Sequence, residues 1–210
     1  MYRRVIKRML DFVIALFFLP LFGMIFIIVA PFIYGTDRGP VFYNALRMGV
    51  NGKKFKMHKF RTMSMNAPDI RNKDGSTFNG ENDPRVTKIG RVLRKTSLDE
   101  TAQILNVLRG EMSFVGPRAF VTNENEDFGQ LDEERKKRLS VRPGITGYSQ
   151  AYYRNSIGLD QKIKYDCDYV DQISFAFDVK IMIKTVTTVL MHKNIYVKPD
   201  VPIHTEEKSE

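Results

Sequence analysis

The chain has 210 residues, enough for one domain with a hydrophobic core or a small domain plus an anchor. Its 33 lysines and arginines outnumber 24 aspartates and glutamates, and the net charge of +9 calls for an anionic partner: nucleic acid, a phospholipid surface or a phosphorylated substrate. A single cysteine, Cys167, excludes an internal disulfide and suits a reducing compartment, while three scattered histidines, His58, His192 and His204, argue against a zinc site.

At the N-terminus Arg3, Arg4, Lys7 and Arg8 precede Asp11 and then an uncharged run from Phe12 to Ile33. As a helix this run reaches about 33 Å, enough to cross a hydrocarbon core. It is too long and too aromatic for a cleaved signal peptide, so it reads as a retained anchor. Two topologies compete. A single-pass helix would leave the remaining chain on the far side of the membrane. Basic residues nevertheless flank both ends, with Arg38, Arg47, Lys53, Lys54, Lys56 and Lys59 following the run, and the positive-inside rule then asks for two cytoplasmic ends. Pro20, Gly23 and Pro31 also interrupt it. A bent helix that enters and leaves by one leaflet satisfies both facts and makes the protein monotopic.

Gly35 to Pro40 reads as a turn and Val41-Phe42-Tyr43 as a short strand. Asn51-Gly52 marks a hairpin turn into Lys53 to Met63, where basic and apolar residues alternate as in a strand with one basic face. Residues 66 to 82 read as a surface loop, and Val86 to Arg94 as a helix with Val86, Ile89, Val92 and Leu93 at helical spacing.

The segment from Thr96 to Gly116 is the most informative. Ser97-Leu98-Asp99-Glu100 fits a capping box, with Ser97 as N-cap and Glu100 at N3, ahead of Ile104, Leu105 and Leu108 on one helical face. The same geometry has a chemical reading: free N–H groups at a helix start attract a diphosphate, and carboxylates tolerate that neighbour only with a divalent cation between them. Basic residues surround the pair, Arg91, Arg94 and Lys95 before it and Arg109 and Arg118 after it. Both readings stand on spacing alone.

Thr122 to Arg138 is highly charged and reads as a solvent-facing helix; Val141 to Gly147 is a turn-rich loop holding Arg142. Helices follow over Asp160 to Tyr169 and from Asp178, where Val179, Met182, Ile183, Val186, Val189 and Leu190 form an apolar stripe suited to a core or a membrane surface. The tail, 199 to 210, reads as disordered.

Motifs in this order resemble the bacterial sugar transferases that initiate glycan assembly, the monotopic phosphoglycosyl transferases. The resemblance runs from Lys7-Arg8-Met9-Leu10-Asp11 through Lys59 to Met63, Asp83-Pro84-Arg85, Gly90 to Glu100, Asn106 to Ser113, Val115-Gly116-Pro117-Arg118 and Arg142 to Gly147. It departs at Gly23-Met24, where the family commonly has Ser-Pro, at Pro117-Arg118-Ala119 for Pro-Arg-Pro, and at Gly147-Tyr148-Ser149-Gln150 and Tyr153-Arg154-Asn155.

The resemblance implies an α+β fold, mostly helical with a small strand element. A re-entrant membrane helix (1 to 34) would carry a compact cytoplasmic catalytic domain (35 to 198) with interfacial amphipathic helices. It implies that Asp99 attacks the sugar-linked phosphate of a nucleotide sugar, a UDP-sugar by family expectation, releasing UMP. Polyprenol phosphate then takes the phosphosugar from the enzyme. Glu100, with Asp99, would hold Mg²⁺; Lys59, Arg94 and Arg118 would contact phosphate; Arg61, Arg142, Gln150, Arg154 and Asp166 are candidate nucleotide or sugar contacts. The expected location is the cytoplasmic face of a bacterial inner membrane, among membrane lipids, with a homo-oligomer open. A catalytically silent scaffold of a glycan-assembly complex is the alternative, which an intact Asp99-Glu100 pair disfavours. Nucleic-acid binding lacks any recognition motif.

Overall fold

A computed structural model describes residues 1–70, 78, 80 and 82–191, and the backbone of 71, 204 and 205. A π-helical turn at Tyr2–Ile6 leads into α1, Lys7–Asp37, which stays helical through Pro20, Gly23 and Pro31. A proline removes one backbone hydrogen bond and bends a helix without necessarily ending it. The helix closes at Arg38, in the left-handed region at φ 55°, and not at residue 34.

One stripe of α1, Asp11, Ala15, Phe22, Val29 and Ile33, is buried along the whole length of the helix. The opposite face is apolar and open, with Phe17 76% and Ile27 72% exposed. Both ends are tied to the domain. Lys7 Nζ lies 2.6 Å from an Asp178 oxygen that also accepts from the Tyr2 hydroxyl at 2.6 Å, while the Tyr169 hydroxyl donates to the other oxygen at 2.7 Å. At the far end Arg61 grips Asp37 through both terminal nitrogens, at 2.5 and 2.6 Å, and donates to the Pro40 carbonyl. Between these ties Phe22 and Phe26 of α1 stack with Phe42 and Phe60, ring centroids 5.5 to 6.4 Å apart.

Those two phenylalanines belong to β1, Phe42–Met48, and β2, Lys54–Phe60, which pair antiparallel from Phe42 opposite Phe60 to Met48 opposite Lys54. Asn51 and Gly52 close the hairpin, both with positive φ, as an Asn-Gly turn requires. The first strand outruns the expected Val41 to Tyr43 because pairing with β2 carries polar positions such as Asn44 and Arg47. β3, Ile70–Arg71, opens a stretch lying mostly outside the described residues, so the loop expected over 66 to 82 is seen only in part.

Next come α2, Lys88–Thr96, a 3₁₀ turn at Leu98–Gln103 and α3, Ile104–Arg109. β4, Ser113–Val115, is followed by β5, Phe120–Val121, which joins the far edge of β1. The long charged helix expected over Thr122 to Arg138 is cut to α4, Glu133–Arg138, which begins only where Asp132 accepts a hydrogen bond from the Arg135 N–H at 2.7 Å. The loop expected at Val141 to Gly147 contains β6, Gly144–Thr146, parallel to β4. Three-residue strands leave no alternation to read. α5, Tyr148–Tyr152, was likewise too short to foresee, whereas α6, Leu159–Gln172, and α7, Phe175–Leu190, match the expected helices. The expected disordered tail lies outside the described residues apart from the backbone of β7, His204–Thr205, beside β3.

Glycine makes the β4–β6 crossing possible. A Cβ on Gly144 would lie 2.2 Å from the Gly116 nitrogen, and one on Gly116 would lie 2.4 Å from the Arg142 carbonyl oxygen. Backbone atoms cannot yield as a side chain does. Gly144→Ala should therefore lower the thermal unfolding midpoint by several degrees or prevent folding. Gly158→Ala, whose Cβ would meet nothing within 4 Å, should leave the midpoint nearly unchanged.

Candidate active site

The candidate site forms where α2, the 3₁₀ turn and β2 converge. The Thr87 side chain caps α2 by accepting from the Gly90 N–H at 3.0 Å. Gly90 presses on the strand side: a Cβ there would lie 2.0 Å from the Thr62 carbonyl oxygen. That close approach brings Arg94 Nε to 3.0 Å from the Thr62 hydroxyl.

The capping box does not form. Ser97 sits at φ 58°, outside the extended conformation an N-cap needs, and its hydroxyl accepts from Arg154 at 2.9 Å. The Glu100 carboxylate turns to Lys59, 2.8 Å away, with an Arg118 nitrogen at 3.6 Å. Residues 98 to 103 form a 3₁₀ turn with both carboxylates in its first turn, so they do not open an α-helix as the spacing suggested.

Asn106 holds the arrangement together. Fully buried in α3, its side chain accepts from the His58 N–H at 2.9 Å and donates to the Lys56 carbonyl at 2.8 Å, occupying the free edge of β2 as another strand would. This fixes the strand next to Lys59. Sequence reasoning quoted Asn106 within a motif without a role; an amide amid Ile104, Leu105, Val107 and Leu108 was the available signal.

The two carboxylates are electrostatically unequal. Burial pushes Asp99 upward, and the Glu100 charge adds to this against the pull of Lys59 and Arg94. Burial acts on Glu100 too, but Lys59 and Arg118 outweigh it and hold that group well below the usual carboxylate range. Glu100 is thus a permanently ionised, cation-held group. Asp99 forms no ion pair or hydrogen bond with another side chain among the described residues, which leaves its oxygens for a ligand.

Of the residues expected from sequence, the structure gathers Asp99, Glu100, Lys59, Arg94, Arg118 and Arg154. It does not bring Arg61, Arg142 or Asp166 to them. Arg61 is buried against Asp37, and Arg142 Nε donates to the Gly110 carbonyl at 2.8 Å. Asp166 is fully buried between Arg138 at 2.6 Å and the Ser149 hydroxyl at 2.9 Å. Both carboxylate oxygens are thereby bonded to neighbouring side chains inside the protein. Gln150 donates to the Ile145 carbonyl at 3.1 Å, in the segment that follows β6.

Asn106→Ala should strand the His58 N–H and the Lys56 carbonyl at the strand edge. We expect a loss of about 2 to 3 kcal/mol in denaturant unfolding, and a stability within 0.5 kcal/mol of wild type, roughly measurement error, would refute the role given to Asn106.

The family model of the bacterial sugar transferases matches residues 2–192. The chain is 38% identical over 201 residues to the exopolysaccharide production protein ExoY of Rhizobium meliloti, covering 90% of this chain and 88% of that protein. It is 40% identical over 194 residues to the galactosyl transferase CpsE of Streptococcus agalactiae, covering 88% of this chain and 42% of that protein. It is also 37% identical over 198 residues to the UDP-glucose:undecaprenyl-phosphate glucose-1-phosphate transferase of Escherichia coli, covering 92% of this chain and 42% of that protein. The chain therefore spans less than half the length of the latter two and nearly the full length of the first. With almost its whole described length matched, the chain belongs to the bacterial sugar transferase family.

Proposed function

We propose that this protein transfers a sugar 1-phosphate from a nucleotide-activated sugar, a UDP-sugar, to polyprenol phosphate at the cytoplasmic face of the membrane. The observation that carries the reading is the split carboxylate pair: Glu100 neutralised by Lys59 and Arg118, and Asp99 beside it without a side-chain partner among the described residues. An Asp99 oxygen attacks the sugar-bearing phosphorus, the phosphoanhydride bond breaks, and UMP leaves with the bond's electron pair. A phosphate oxygen of the polyprenol phosphate then attacks the same phosphorus and displaces the Asp99 carboxylate, leaving a polyprenyl diphosphosugar.

The basic residues serve both steps. Arg118 is half exposed and presents a fork suited to phosphate oxygens, and Arg94 and Lys59 add charge from the opposite elements. Mg²⁺ fits the donor set. No group of three or more metal-binding side chains occurs among the described residues, but Mg²⁺ bound to a diphosphate needs only one or two carboxylates, which Asp99 and Glu100 supply. When bound it would neutralise diphosphate charge that otherwise repels an attacking carboxylate.

The course of α1 supports a monotopic attachment. Its two ends are bonded to one domain and its buried stripe is continuous between them, so a span with the ends on opposite faces would tear the domain from one end. The open apolar face is the part left for lipid, and α7 adds exposed Phe175, Ile183, Val186 and Leu190. Pro20 and Pro31 are where the helix would bend into the bilayer.

In lipid nanodiscs with Mg²⁺ and undecaprenyl phosphate, Asp99→Asn should reduce UMP release to below about one thousandth of wild type while the far-UV spectrum stays unchanged. A variant with near-normal turnover would sink the nucleophile assignment. Glu100→Gln should raise the Mg²⁺ concentration for half-maximal rate by about ten-fold, and an identical metal titration would move the ligand role elsewhere. In a Cys167→Ser background, Arg4→Cys and Arg38→Cys should both resist an impermeant thiol reagent in intact spheroplasts; labelling of either one restores the single-pass helix.

A further inference from the structure

At the opposite end of α3 from the carboxylates, two arginines converge on the Gly110 turn. Arg8 of α1 donates to the Val107 carbonyl at 2.6 Å and the Leu108 carbonyl at 3.1 Å, while Arg142, from the loop before β6, donates through Nε to the Gly110 carbonyl at 2.8 Å. A Cβ on Gly110 would lie 3.2 Å from Arg8, so both guanidinium groups flank one residue, and their charges repel each other.

Carbonyls at a helix C-terminus attract cations, which accounts for one arginine. They do not account for a pair held side by side and half buried. Neither arginine forms an ion pair with a carboxylate among the described residues, and the remaining donors of Arg142 have no protein partner there. The carboxylate one turn along α1, Asp11, instead accepts from the Phe114 N–H at 3.1 Å.

The surroundings say what would complete the pair. The Arg8 guanidinium lies 5.9 Å from the Phe12 ring centroid, and Arg8, Met9, Phe12 and Val13 of α1 border a shallow open recess of about 340 Å³ on the outer face of that helix. Met9, Phe12 and Val13 are exposed, and they continue into the open apolar face of α1. A paired guanidinium fork recognises phosphate, and an apolar wall leading away from it recognises hydrocarbon. We propose that Arg8 and Arg142 bind the phosphate of a membrane phospholipid whose acyl chain runs along Met9, Phe12 and Val13.

The proposal rests on the membrane-surface reading of α1, but it is separate from catalysis. The six residues of α3 alone put about 9 Å between this site and the turn bearing Asp99. The bound lipid would neutralise the arginine pair and seat the N-terminal end of α1 at headgroup depth. It would act as a fixed structural lipid, not as the phosphosugar acceptor.

The test uses the full-length protein in neutral detergent, stripped of lipid and titrated with dioctanoyl phosphatidylglycerol while circular dichroism follows thermal unfolding. The wild type should show a saturable rise in midpoint, Arg142→Gln should need about ten-fold more lipid for the same rise, and Arg142→Lys should fall between them. Equal titrations for wild type and Arg142→Gln would overturn the site. So would an equal rise with uncharged dioctanoylglycerol or with inorganic phosphate alone, the first showing a purely apolar effect and the second a free-anion site. A rise with undecaprenyl phosphate but none with phosphatidylglycerol would also overturn it, by making this an acceptor site. Should Arg142→Gln fail to fold, Arg142→Lys and Arg8→Lys carry the comparison. UMP release is measured separately, so a lost lipid effect with intact turnover removes this site alone, and lost turnover with an intact titration removes only the catalytic reading.

Discussion

The attachment of α1 along its whole length is the constraint on which the rest of the structure depends. A helix of 31 residues with an open apolar face would ordinarily be an independent element, joined to its domain by a short linker. Here Lys7 with Asp178 clamps the start, Asp37 with Arg61 clamps the end, and the Phe22, Phe26, Phe42 and Phe60 stack holds the middle. The Lys7–Asp178 pair is mostly withdrawn from solvent, where leaving one partner alone costs about 3 to 5 kcal/mol, whereas at the far end Asp37 stays exposed beside the buried Arg61. The anchor and the β1–β2 hairpin are consequently one body. Whatever position the open apolar face of α1 takes, the hairpin and Lys59 move with it.

A second constraint is backbone crowding. Gly90 against Thr62, and Gly116 against Gly144, bring main chains closer than any side chain would permit. The first contact orients α2 and Arg94; the second aligns β4 with β6, and from that crossing Arg118 extends toward Glu100. Cations from β2, α2 and the segment after β4 meet around one 3₁₀ turn because these three approaches are fixed together. The result is two adjacent carboxylates in unequal surroundings: Lys59 and Arg118 hold Glu100 ionised, while burial pushes Asp99 upward and no other side chain among the described residues bonds to it.

Much of this was legible in the residues. The long apolar N-terminal helix, the Asn51-Gly52 hairpin, the helix before Ser97 and the helices near Asp160 and Asp178 all follow from local signals: an uncharged run, a turn dipeptide and helical spacing of apolar positions. The elements that escaped were short. β4, β6 and α5 are too brief to carry a period, and within the charged stretch over 122 to 138 the Asp127 cap starts only a 3₁₀ turn at Phe128–Gln130, so that the α-helix begins after Asp132. Arg61 and Asp166, candidate ligand contacts by the resemblance, are both buried, Arg61 against Asp37 and Asp166 against Arg138.

What the sequence determined by itself is therefore the inventory: a long apolar helix with basic flanks, a basic domain, and an Asp-Glu pair among arginines, since hydrophobicity, net charge and turn chemistry are local properties of a chain. Which arginine is spent on a buried partner and which gathers beside Asp99 and Glu100 was decided only by tertiary packing. A charge's role depends on the dielectric around it and on the partner within reach, and residues as distant in sequence as Lys59, Glu100, Arg118 and Arg154 become neighbours only when the fold closes.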